Sequence, residues 1–236
     1  MTVFSYSMIA PEAAKPVIGM IILQADETLE TDLRRSFSPQ ECDILVARIA
    51  SETEVSTDSL SAMEGRLTQT AALFPAGLEL DAVGYGCTSA TSVIGPEKVH
   101  GLIRAGCGCE TITEPVTALL TDCSKRGISR IAFLSPYVES VSAKLREVLA
   151  EGGLASPVFG SFDEAEEAKV TRIDEQSLFD AAVELAASDA VDGIFLSCTN
   201  LKTLDVLPRI EAATGKLALS SNSVLIAHLR ELALRH

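Results

Sequence analysis

The sequence predicts an α/β protein built as two pseudosymmetric lobes. Each lobe is a short parallel sheet of about four strands flanked by helices, with a ligand cleft between them. Three observations lead there. Apolar runs of strand length alternate with helical patterns along the chain, which implies right-handed βαβ units and sheets covered on both faces. Two segments also match. Asp81-Ala82-Val83-Gly84-Tyr85-Gly86-Cys87-Thr88-Ser89 and Asp192-Gly193-Ile194-Phe195-Leu196-Ser197-Cys198-Thr199-Asn200 each run from an acid through an apolar stretch to Cys-Thr. Their cysteines lie 111 residues apart (87 to 198), and the strand ends at Asp26 and Tyr137 repeat at the same offset.

The elements follow in order. Residues 1–16 carry two prolines and no period, and read as a loose leader. Residues 17–23 are a continuous apolar run, as in a buried strand. A helix is expected over 27–37, with Leu29 and Leu33 on one face, and a strand over 43–49. Residues 57–74 read as one helix, with Leu60, Met63, Leu67, Ala71 and Phe74 inward. A strand over 78–85 delivers Cys87. A helix over 97–105, a brief strand at 111–113 and a helix over 114–125 with Pro115 in its first turn complete the half.

The second half repeats the alternation. It has a strand at 128–134, a helix at 138–151 stopped by Gly152-Gly153, a short strand at 157–159 and an acidic stretch, 162–173, with no assignable structure. A helix at 174–187, a strand at 193–196, a helix at 201–214, a strand at 216–219 and a helix at 223–234 close the chain. The expected lobes are residues 1–113 plus about 222–236, carrying Cys87, and 114–221, carrying Cys198.

Composition narrows the function. The chain has 236 residues, 47% of them hydrophobic, enough for a substantial core. A formal charge of −14 argues against nucleic acid, whose phosphates need a basic surface. No stretch approaches the roughly 20 apolar residues of a membrane helix, and no basic and apolar leader marks export. Six cysteines in a chain this long make no disulfide framework, so reduced thiols in the cytoplasm are expected.

Ligands in open α/β sheets bind beyond the carboxyl ends of the strands, where Asp26, Cys87, Tyr137 and Cys198 all fall. A lone cysteine ending an apolar strand is an ordinary small hydrophobe. Two in matched contexts suggest paired chemistry. Thr88, Ser89, Thr199 and Asn200 surround the thiols with hydroxyls and free N–H groups. Those groups could hold a substrate carboxylate and lower a thiol pKa from about 8.5 into the range of roughly 3.5–7.5. Asn222 follows the last strand at the same mouth, as a ligand contact or a helix cap. Cys107-Gly108-Cys109 lacks a second pair, so no metal is expected. The histidines lie away from both Cys-Thr motifs. Gly84-Tyr85-Gly86 opens no dinucleotide fingerprint.

The two cysteine motifs resemble those of the aspartate/glutamate racemase superfamily. The run Ser197-Cys198-Thr199-Asn200-Leu201-Lys202-Thr203-Leu204-Asp205-Val206-Leu207-Pro208 looks like its maleate cis-trans isomerase and arylmalonate decarboxylase branch. Asp26-Glu27-Thr28-Leu29-Glu30, with Cys87-Thr88-Ser89-Ala90 and Val93-Ile94-Gly95, is similar to ectoine-utilisation members. The resemblance runs from about Val17 to Leu232. It implies a cofactor-independent isomerase or racemase in which Cys87 is base or nucleophile and Cys198 the opposing acid. It also implies that Tyr137 touches substrate, as does a residue somewhere in 162–167. The decarboxylases of the branch carry glycine at the Cys87 position. The isomerases carry asparagine at Asp26, so the aspartate points to a nitrogen-bearing acid, unless it only caps the following helix. The expected partners are a small carboxylate and further copies of the chain, as a dimer or tetramer. Decarboxylation, with Cys198 as proton donor, and metabolite binding without turnover are the alternatives.

Overall fold

The computed structural model describes residues 1–8 and 15–234. It contains two four-stranded parallel sheets with one topology used twice. The first has β1 (Val17–Leu23), β2 (Asp43–Ile49), β3 (Ala82–Gly86) and β4 (Ile112–Thr113), in spatial order β2-β1-β3-β4. The second has β5 (Arg130–Ser135), β6 (Ala155–Ser161), β7 (Gly193–Leu196) and β8 (Leu217–Ser220), in order β6-β5-β7-β8. The repeat seen in the sequence is therefore a repeat of topology. β1 corresponds to β5, and β3 to β7.

Helices cover both faces of each sheet. In chain order they are α1 (Leu29–Ser36), α2 (Thr57–Ala62), α3 (Glu64–Ala71), α4 (Thr88–Ile94), α5 (Pro96–Cys107) and α6 (Pro115–Arg126). They continue as α7 (Glu139–Glu151), α8 (Glu167–Val170), α9 (Glu175–Ala186), α10 (Leu207–Thr214) and α11 (Ser221–Ala233). One hydrophobic cluster runs across both sheets, from Ile21 and Tyr85 to Leu134 and Leu196, and includes both Cys87 and Cys198. A second packs Leu29 and Leu33 of α1 and Leu225 and Leu229 of α11 on the far side of the first sheet. A third packs Leu119 and Leu145 on Phe133 and Phe195 of the second.

Gly84 and Gly86 have a packing reason. A Cβ at Gly84 would lie 2.3 Å from Met20 Sδ, and one at Gly86 would lie 2.3 Å from Leu29 Cδ2. Bare backbone there lets the covering side chains lie flat on β3.

Several elements differ from expectation. The predicted 57–74 helix is two, α2 and α3, meeting at Met63. A helix absent from the sequence reading, α4, begins directly after Cys87. The predicted 201–214 helix starts only at Leu207, because Thr203 turns its hydroxyl to Ser220 Oγ at 2.8 Å and Pro208 suits a first turn. The acidic stretch holds one short helix, α8. Residues 1–8 have no secondary structure and are exposed, in keeping with a leader. Residues 9–14 of that leader, like His236, lie outside the described residues. No helix among the described residues is long and apolar enough to cross a membrane.

Candidate active site

In each sheet the chain leaves the first strand toward one edge and the third strand toward the other. The crevice where the connections diverge is the usual binding position of an open α/β sheet. Asp26 follows β1 and Cys87 follows β3; Tyr137 follows β5 and Cys198 follows β7. The two crevices face one another, and all four residues line a single cavity with Thr88, Ser89, Thr199 and Asn200. That cavity is closed, about 10 Å³, room for no more than about one water. A larger open groove of about 470 Å³ lies along β2, but Cys42 is the only thiol in its wall and neither Cys87 nor Cys198 reaches it.

A cross-lobe strip passes beside the cavity and reaches its wall at Glu167. Val55 N–H donates to Ala165 O at 2.9 Å and Glu167 N–H to Thr53 O at 3.1 Å, pairing Glu54 with Glu166. Further bonds join the lobes around the cavity. Thr28 Oγ1 donates to Asn200 O at 2.9 Å, Glu27 N–H to Asn200 Oδ1 at 2.9 Å, and Thr199 Oγ1 to Gly86 O at 3.2 Å.

Cys87 caps α4, its Sγ accepting from Ala90 N–H at 3.4 Å. Cys198 sits at φ 113°, a left-handed backbone that costs a non-glycine residue about 1–3 kcal/mol. The strain is held by Ser221, whose Oγ accepts from Cys198 N–H at 3.0 Å and from Thr88 Oγ1 at 2.7 Å. One serine thus ties the two Cys-Thr motifs together. Cys198 Sγ accepts from Asn200 N–H at 3.3 Å and lies 2.9 Å from Tyr137 Oη.

The expectation of lowered thiol pKa values is not met. Burial pushes the Cys87 thiol up to about 12 against the pull of Ala90 N–H, and the Glu167 carboxylate adds to the rise. Burial pushes Cys198 up as well, and Glu167 again adds to it. The helix terminus is present, but the closed cavity desolvates a thiolate more than two N–H groups stabilise it.

The two oxygens of Asp26 have different surroundings. Oδ1 accepts from Thr28 N–H at 2.9 Å and Leu29 N–H at 2.8 Å, holding the start of α1. Oδ2 is buried, has no partner, and belongs to a residue in the cavity wall. Burial raises this carboxyl from 3.8 to about 6, despite those backbone bonds. Asn222 does not reach the cavity. Its amide donates to Asp32 Oδ2 at 2.8 Å and to Thr199 O at 2.9 Å, and the cap of α11 is Ser220. The reason is positional: Asn222 lies one residue inside the helix, where its side chain meets the α1 face.

Glu167 was missed as an individual residue. It is the buried acid of a run whose others are exposed or half-buried, and it enters the cavity wall from α8. Tyr137 Oη donates to its Oε1 at 2.6 Å and Asn200 Nδ2 to its Oε2 at 2.8 Å. The spacing of Glu167 to Val170, one helical turn onto a buried apolar residue, was the available signal.

The family model described as arylmalonate decarboxylase matches residues 98–233, more than half of the chain. An arylmalonate decarboxylase of Bordetella bronchiseptica is 34% identical over 119 residues, which is 50% of this chain and 48% of that protein. The chain thus matches about half the length of that relative. A maleate isomerase of Geobacillus stearothermophilus is 21% identical over 217 residues, 86% of each chain. The crystal structure of a maleate isomerase from Pseudomonas putida with maleate superposes with a TM-score of 0.82 at 20% identity, covering 93% of this chain and 92% of that one. The doubled sheet topology, the match across the second half and its continuation into the Cys198 motif place this chain in the arylmalonate decarboxylase family.

Proposed function

We propose that the protein is a cofactor-independent isomerase or racemase of a small carboxylate, working by proton transfer between, or addition of, two cysteines. The observation that carries this is the single closed cavity whose wall includes both Cys87 and Cys198. Inverting or isomerising a carbon needs a base and an acid that reach the same substrate. Matched strand ends in two facing lobes supply them. The intermediate formed on proton removal gathers charge on the carboxylate oxygens. The hydroxyl of Ser89 and the N–H groups that start α4 offer donors to that charge, commonly worth about 2.7–4 kcal/mol each, while the Thr88 and Thr199 hydroxyls donate elsewhere.

The substrate is an acid that bears a cationic nitrogen. Asp26 and Glu167 are both carboxyls, and the cavity wall holds no lysine or arginine. A dicarboxylate would meet repulsion there, whereas an ammonium group would pair with the unpartnered Asp26 Oδ2. A place in ectoine or amino-acid breakdown fits this chemistry.

Decarboxylation is the second reading. The family match spans residues 98–233, which takes in Cys198 and leaves out Cys87. Cys198 alone would then protonate the carbanion left by loss of carbon dioxide. A panel of amino, diamino, dicarboxylic and malonate-type acids, followed by proton NMR in deuterated water, separates the readings. Isotope exchange or isomerisation of a nitrogen-bearing acid supports the first. Carbon dioxide loss from malonates alone supports the second. Tight binding with neither would replace both with a binding protein.

A further inference from the structure

We propose that Glu167 is a proton store for Cys198, connected to it through the Tyr137 hydroxyl, so that one resting protonation state supplies Cys198 as either acid or base. The inference rests on the reading of Cys198 as a proton carrier. Its basis is a chain of three groups: Cys198 Sγ lies 2.9 Å from Tyr137 Oη, which lies 2.6 Å from Glu167 Oε1.

Tyr137 has one hydroxyl hydrogen and two such neighbours. Two arrangements satisfy the chain with the same number of protons. In the first, the Cys198 S–H donates to Oη, the hydroxyl donates to Oε1, and Glu167 is a carboxylate. In the second, Cys198 is a thiolate accepting from the hydroxyl, and Glu167 is a carboxylic acid donating to Oη. To pass from first to second, the S–H bond breaks and its proton moves to Oη. The proton already on Oη moves to Oε1. No charge enters or leaves the group, and no co-reactant is needed.

The surroundings select Oε1 as the receiving atom. Asn200 Oδ1 accepts from Glu27 N–H at 2.9 Å, so its Nδ2 must face the other way, toward Glu167 Oε2 at 2.8 Å. Oε2 is thus held as an acceptor, and Oε1 is left to exchange a proton with Tyr137. The groups that face Glu167 across the cavity are Asp26 and the two thiols, with no cation in the wall. Burial raises the Glu167 carboxyl from its ordinary value against the pull of the Tyr137 and Asn200 bonds. Cys87 has no equivalent relay, because the Tyr85 hydroxyl beside it donates to Met63 Sδ at 3.6 Å, and neither that thioether nor Ala90 N–H takes up a proton. The two thiols are alike in position and unlike in wiring.

The test uses the substrate-free protein at neutral pH, so its result stands apart from whether any acid is turned over. The infrared S–H stretch of Cys198 is assigned by subtracting the Cys198→Ala spectrum. The second arrangement removes the Glu167 charge that helps hold the Cys198 thiol protonated, so with the store in place part of Cys198 is thiolate. The band therefore gains intensity in Glu167→Gln and in Tyr137→Phe, each of which cuts the chain. The protonated-carboxyl stretch of Glu167 is lost in Cys198→Ser, whose hydroxyl releases no proton. Removing a negative charge beside the thiol without a relay does the opposite, and the S–H band shrinks in Glu167→Gln. A band that shrinks or stays the same overturns the proposal. Circular dichroism checks folding. Should one chain-cutting variant fail to fold, the other decides, and the Cys198→Ser comparison decides without either.

Discussion

Replacing Asp26 by asparagine should stabilise the fold at pH 8 while weakening turnover. In the folded protein the Asp26 carboxyl titrates at about 6, against 3.8 for an unburied one. Below 3.8 both folded and unfolded chains hold the proton, and the carboxyl costs nothing. Between 3.8 and about 6 the unfolded chain releases it first, so stability falls as pH rises. Above 6 the cost is complete, about 3 kcal/mol. Asparagine keeps an Oδ1 acceptor for Thr28 and Leu29 N–H, so the start of α1 survives. The gain in Asp26→Asn should therefore be about 1–3 kcal/mol at pH 8 and should vanish below about pH 4. Urea unfolding at the two pH values measures it. A variant less stable than wild type at pH 8, or a gain equal at both values, would refute the account of Asp26 as an unpaired buried carboxylate held ready for a cation.

Two other perturbations test packing and access. Gly106→Ala places a Cβ 2.3 Å from Thr68 O and 2.7 Å from Ala71 Cβ, both in α3. Overpacking of about 3 kcal/mol outweighs the roughly 1 kcal/mol gained in helix propensity, so thermal unfolding should move down. Gly101→Ala on the same helix meets nothing within 4 Å and should move it up. The opposite signs are the check. Access is tested at the cross-lobe strip, where Glu54 and Glu166 form an antiparallel pair with Cα atoms about 4.5 Å apart, as non-hydrogen-bonded pairs have. The double variant Glu54→Cys with Glu166→Cys should form a disulfide that lowers turnover at least about tenfold until reductant is added, because the 10 Å³ cavity admits no substrate while closed. Full activity in the oxidised form would show another way in.

Much of this was legible in the sequence for a physical reason. β1 and β7 agree with the apolar runs because strands covered on both faces carry uninterrupted hydrophobic residues, with turn residues at their ends. The same matching identified Cys87 and Cys198, since a repeated topology repeats its strand ends. α4 was not legible: Thr88, Ser89, Ala90, Thr91 and Ser92 are all buried although four of them are polar, so no apolar stripe sets a period. Glu167 was hidden for the opposite reason. It stands among other acids, and only the turn of α8 decides which one faces inward. Asn222 shows the limit of reasoning from a strand end, because one residue into a helix rotates a side chain onto a different neighbour. The thiol pKa values depend on how tightly two distant segments close over them, which no local motif encodes.

The central claim is that two thiols serve one bound molecule. Exchange of the substrate's alpha proton in deuterated water, measured for Cys87→Ala and Cys198→Ala separately with an acid that the wild-type protein turns over, tests it most directly. Each variant should lose about 10²–10⁴-fold in exchange or turnover, the usual worth of a positioned acid or base. Exchange at the wild-type rate in both variants would contradict it.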